Sequence, residues 1–189
     1  MKYLKYLLAT IIVLVLLFIG MGFFTPSVYY EHEVSVEKSI EEAWAVMSDE
    51  TKLAEWIKGY QKTELVSGVA NTVGAVSKIY IDDNGQEMVM QETITDIQPN
   101  ALIAMTFTMD FMDMDYEMTL QEQAGKTLLR SKSTTSGNGF VAKSMIALMK
   151  GAMEAQEQEN LNNLKKVIEA NTTNYFLDAP LTSEEVTDH

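Results

Sequence analysis

The side chains that usually carry chemistry are sparse in this chain. It has no cysteine, which excludes disulfides, zinc–thiolate sites and thiol nucleophiles together. The two histidines are isolated. His32 falls on an alternating segment just after an apolar amino terminus, and His189 ends an acidic tail, so neither has a nucleophile and an acid within reach of a sequence argument. A structural or incidental role follows for both, and no Ser-His-Asp arrangement is visible. Asp113, Asp115 and Glu117 share one face of an alternating stretch and could attract a hard cation, but a solvated outer face explains them more simply. Arg130, the one arginine, and Lys132 could meet an anionic headgroup or pair with surface carboxylates. The expectation is therefore no catalytic residue, no metal site and no cofactor.

Methionine is what stands out. The chain has 13, and all but Met1 and Met21 lie beyond the first 24 residues. Several fall in "MTFTMDFMDMDYEMTL", where Met105, Phe107, Met109 and Phe111 hold odd positions and Met112, Met114, Tyr116, Met118 and Leu120 hold even ones. An unbroken strand would carry the second set to the opposite face. A turn or bulge at Phe111-Met112 keeps both sets inside, which predicts a hairpin of about 101–110 with 114–123.

The elements around that hairpin follow from periodicity. "YEHEVSVEKS" alternates as a strand, and Ser39 with Glu42 three residues on forms a capping-box signature for a helix burying Ile40, Ala43, Trp44 and Met47. Asp49 starts a second short helix with Leu53, Trp56 and Ile57, ended by Gly59. Strands then follow at "KTELVSG", "GAVSKIYID" and "EMVMQETITDI", the last two joined through Asp83-Asn84-Gly85 as a hairpin, and another at "TLLRSKSTT". From Phe140 to about Ala170 runs one proline-free amphipathic helix.

Both ends differ from this middle. Leu7 to Phe24 carries no charge, Lys2 and Lys5 precede it and Glu31 follows, which predicts an uncleaved transmembrane anchor at 1–29 with a cytoplasmic amino terminus and an exported domain. A cleaved signal peptide is the alternative. The folded domain is expected at 30–171 and a mobile acidic tail at 172–189. With 27 acidic against 14 basic side chains the net charge is -13, which argues against nucleic acid as a partner.

"EEAWAVMSDETKLAEWIKGYQKTE" and "GNGFVAKSMIALMKGAMEAQEQENLNNLKKVIEA" resemble the START-like or Bet v 1-like superfamily (SRPBCC), in particular its bacterial polyketide cyclase/dehydrase and lipid-transport branch. The resemblance covers about 31–171. It implies an α+β helix-grip fold, in which a curved antiparallel sheet wraps around the long carboxyl-terminal helix and encloses an apolar cavity. Adaptable thioethers suit the wall of such a cavity. The candidate ligand-binding residues are Trp56, Tyr80, Met88, Met90, Met105, Phe107, Met109, Met118, Met145, Met149 and Met153. A soft, filled core is the competing reading for each of them.

Three functions fit. The leading expectation is a membrane-anchored module binding a hydrophobic small molecule or lipid, with no nucleic-acid partner and any protein partner unknown. The alternatives are a polyketide cyclase/dehydrase-like enzyme on an aromatic or polycyclic substrate, and an interaction domain with a closed core.

Overall fold

The computed structural model describes residues 2–83 and 85–176. Helix α1 (Lys2–Phe24) is apolar beyond Lys5, with a mean hydropathy of 2.9 over its most apolar 18 residues, and is long enough to cross a bilayer. Pro26 ends it, and β1 (Ser27–Val36) begins at once. Ser39 caps α2 (Ile40–Met47) by accepting from the Glu42 amide at 3.3 Å. Only half of the capping box forms, because the Glu42 carboxylate accepts instead from Lys38 Nζ at 2.7 Å and Asn171 Nδ2 at 3.1 Å. Charge assistance favours the ammonium over a backbone amide. The second short helix is a 3₁₀ turn (Glu50–Lys52) followed by one α-turn, α3 (Leu53–Trp56), with Asp49 accepting from the Thr51 amide at 2.9 Å.

Six strands follow: β2 (Tyr60–Ser67), β3 (Val76–Asp83), β4 (Gln86–Gln98), β5 (Leu102–Thr108), β6 (Met112–Gln123) and β7 (Lys126–Gly137). Together with β1 they form one curved, seven-stranded antiparallel sheet in the order β1-β7-β6-β5-β4-β3-β2, so β1 is the single element that pairs far from its neighbours in sequence. Helix α4 (Phe140–Ala170) lies against β1 and β7. This is the expected α+β helix-grip architecture.

The phase slip is a turn. Thr108 pairs with Asp113, and the Met109 amide donates to the Met112 carbonyl at 2.9 Å, so the odd residues of β5 and the even residues of β6 face the same way. The β3–β4 hairpin turns through Gly85 at φ 85°, a conformation that favours glycine, while Asn84 lies outside the described residues.

The core is filled beneath one half of α4. Leu161, Leu164 and Ile168 are each 0 % exposed and meet Val36, Val46, Met118, Leu120 and Leu129. Past α4 the chain stays docked as far as it is described. Tyr175 packs against this core and its hydroxyl donates to Asp49 at 2.8 Å, so the start of the segment expected to be a mobile tail is held to the 3₁₀ turn. The remainder of that expectation, 177–189 with His189, lies outside the described residues.

Candidate functional site

The middle of α4 behaves differently from its ends. From Ala147 to Asn160 no residue is buried, although buried residues flank this stretch at Ile146 and Leu161. By helical spacing Met153 and Glu157 continue the buried face toward the sheet. Below them the inward side chains of β3–β6 are largely methionine and aromatic: Met88, Met90, Met105, Met114 and Tyr116 pack partly buried around Ile79, Ile81 and Phe107. The concave face over β3–β6 is thus left only partly covered, as a cleft-like stretch beside a filled core. A sealed cavity under the whole helix does not form, because leucine and isoleucine at successive turns close the carboxyl-terminal half against β1, β6 and β7.

Strand register builds the cleft in two cross-strand rows. Tyr30, Ser133, Tyr116, Met105 and Ile94 form one, running from β1 to β4. Val28, Thr135, Met114, Phe107, Glu92 and Ser77 form the next, reaching β3. Each row carries a β7 hydroxyl near its β1 end and crosses an apolar middle, and the second also holds the Glu92 carboxyl on β4. Period-two alternation puts Ser131, Ser133 and Thr135 all on the inner face of β7.

Those three hydroxyls are 0 to 2 % exposed and make no close hydrogen bond, although the Tyr30 phenol lies near Ser133 and Thr135 and the Tyr116 phenol near Ser131. Burying an unsatisfied hydroxyl costs about 1–3 kcal/mol, so three in a line point to a polar guest. His32 Nε2 and Trp56 Nε1 are buried without partners as well. His32 is paired across strands with Ser131, yet the two side chains do not bond each other.

Electrostatics divides the site. Burial raises the Tyr30 phenol above its ordinary value, with the nearby Ser133 hydroxyl acting the other way. Burial also pushes Tyr116 well up, reinforced by the Glu157 carboxylate to which its hydroxyl donates at 3.0 Å. Both phenols therefore stay protonated and serve as donors. Glu92 is the opposite case: desolvation, with Glu50 nearby, raises its carboxyl to about 7, so it exchanges a proton near neutrality. The arrangement can orient an oxygen-bearing apolar molecule at the β1–β7 end and move a proton at the β4 end.

The sequence-derived candidates scatter over the molecule. Met88, Met90, Met105 and Phe107 share the cleft cluster, and Met153 is half-buried on α4, on the sheet-facing side by helical spacing. Trp56 borders the filled core, and Met118, 2 % exposed, is sealed inside it. Met109 sits in the β5–β6 turn, beside a groove of about 690 Å³ that Met88 and Phe111 also line. Met145 and Met149 are 45 % and 44 % exposed on α4. Tyr80 is on the convex face, where its hydroxyl donates to Glu64 at 2.8 Å and Lys62 lies 4.4 Å from its ring centre. A second groove, of about 400 Å³, also lies on that face, between Thr106, Asp115, Glu117 and Lys132. Asp113, Asp115 and Glu117 point outward, and no group of three or more metal-ligating side chains occurs among the described residues. Arg130 bridges Glu31 and Glu33 at 3.3 and 3.1 Å, and Lys132 meets Glu117 at 2.9 Å.

Sequence reasoning missed Tyr30, Glu92, Glu157 and the β7 hydroxyls. Only "SKSTT" carried a signal, and both faces of that strand are polar, so alternation could not say which side is inside.

Comparison with known proteins agrees with this geometry. No curated protein matches the sequence. Zhui aromatase/cyclase from Streptomyces sp. R1128 superposes with a TM-score of 0.63 at 18 % identity, over 76 % of this chain and 94 % of that one. TTHA0849 from Thermus thermophilus gives 0.64 at 13 %, over 77 % and 100 %, and Ara h 8.0201 gives 0.61 at 14 %, over 77 % and 99 %. Identities this low establish the fold alone. Residues 27–169, which include the whole sheet and nearly all of α4, match the profile described as polyketide cyclase / dehydrase and lipid transport, and the chain belongs to that family.

Proposed function

We propose that this protein is a membrane-anchored module that binds an apolar small molecule or lipid bearing a hydroxyl or carbonyl oxygen, in the cleft between the sheet and the middle of α4. The observation that carries this reading is the partly buried methionine and aromatic wall over β3–β6, with the buried hydroxyls Ser133 and Thr135 in the same cross-strand rows. The wall removes apolar surface of the guest from water and adapts to its shape, while the hydroxyls fix its oxygen end. Helix α1 holds the cleft at a bilayer, with the domain on the exported side, where apolar molecules concentrate. Full-length protein purified from membranes should carry a bound organic molecule, seen by native mass spectrometry and solvent extraction. Protein that carries nothing and binds no fluorescent fatty acid overturns the reading.

A second reading rests on Glu92. A carboxyl near 7 at the end of a cleft lined by protonated phenols favours an aromatase- or cyclase-like proton transfer on a carbonyl-bearing chain. Turnover of such a substrate that disappears in Glu92→Gln, with binding retained, would select it over simple binding.

A further inference from the structure

We infer that the first four turns of α4 lie on the bilayer that holds α1, so that lipid meets the mouth of the cleft directly. This rests on the reading of α1 as a membrane span. Two independent observations lead to it.

The first is how α1 meets α4. The Gly22 amide donates to Ser144 Oγ at 3.1 Å, in a buried contact. A Cβ on Gly22 would lie 2.5 Å from both the Phe140 carbonyl oxygen and Ser144 Oγ, so the two backbones touch and only glycine fits. Gly22 lies in the last turn of α1, which ends at Phe24. The start of α4 is thereby fixed to the end of the span, at the level where an apolar helix leaves the hydrocarbon.

The second is the surface that α4 presents there. Val141, Met145 and Leu148 recur at helical spacing and are 60, 45 and 60 % exposed, with Ala152 one turn further on, also exposed. Phe140, 60 % exposed, adds to this surface at its start. In a water-soluble helix this stripe would carry charge. From Phe140 to Met153 the only charged residues are Lys143 and Lys150, and the first acid is Glu154, in a chain with 27 acidic side chains. Exclusion of carboxylates from this one segment matches a surface facing lipid with anionic headgroups, and the apolar stripe runs on from the apolar surface of α1. Met149 and Met153 then continue along α4 from this surface toward the open cleft.

The absence of native cysteine makes a direct test available. Full-length protein carrying a single Val141→Cys, Leu148→Cys, Thr134→Cys or Val15→Cys substitution is spin-labelled and reconstituted in phosphatidylcholine–phosphatidylglycerol vesicles, and label accessibility is read with oxygen against a water-soluble nickel chelate. Labels at 141 and 148 should favour oxygen, as the label at 15 does, while the label at 134, on the convex face, should favour nickel. If 141 and 148 match 134 while 15 favours oxygen, the anchor stands and this inference falls. If 15 also favours nickel, the anchor reading fails and takes the inference with it.

Discussion

Residue by residue, the cleft is made of groups that lower the stability of the empty protein. Thr135 is fully buried with an unsatisfied hydroxyl, and valine has its shape without that hydroxyl. Thr135→Val should therefore raise stability by about 1 kcal/mol in urea denaturation while reducing retention of the bound molecule. A destabilised variant would mean the hydroxyl is already satisfied. Glu92 adds a pH dependence of definite sign. Its folded value of about 7 lies above the ordinary 4.5, so the folded state holds a proton that the unfolded chain has released between those values. Stability then falls as pH rises from about 4.5 to 7 and stays low above that, by about 3 kcal/mol at most. Glu92→Gln should match the parent near pH 4 and exceed it at pH 8, measured by melting at both. Equal stabilities at pH 8 would remove the half-buried, raised carboxyl from the account.

Among the elements, α4 does two jobs, and its sequence divides accordingly. Its carboxyl-terminal half seals the core through Leu161, Leu164 and Ile168, whereas its middle spans the cleft with Met153 and Glu157 only partly covered. Leu164→Ala should cost about 2–5 kcal/mol, because it leaves a void in close-packed surroundings. Met153→Ala, at a half-open site, should cost under about 1 kcal/mol and instead shift ligand selectivity. Similar costs for the two would show that α4 is packed uniformly. The same division explains why the methionines had to be sorted by structure: Met118 and Met105 sit on adjacent strands with the same inward orientation, yet one is beneath the sealed half of α4 and the other beneath the open part.

At the scale of the molecule, a cleft whose buried hydroxyls make no close hydrogen bond predicts that a bound molecule is a folding partner. Protein stripped of its bound molecule should melt lower than protein as isolated, and restoring the extract should recover the difference, since a ligand that binds only the folded state stabilises it by mass action. Identical melting before and after extraction would deny that link. Much of this architecture was legible in the chain. Local periods of two and near four, the Ser39 cap, the Gly85 turn and the phase slip at Phe111-Met112 are short-range features, and each forms where, or within a few residues of where, its residues dictate. The uninterrupted apolar run of α1 likewise declares itself by length. What the tertiary structure decided is which side of β7 faces inward, how far along α4 the packing stays closed, and that Gly22 meets Ser144 across 122 positions of sequence. Those depend on strand β1 returning to pair with β7 and on two helices meeting at a glycine. Such long-range contacts leave little trace in local pattern, because residues far apart in the chain carry no shared period.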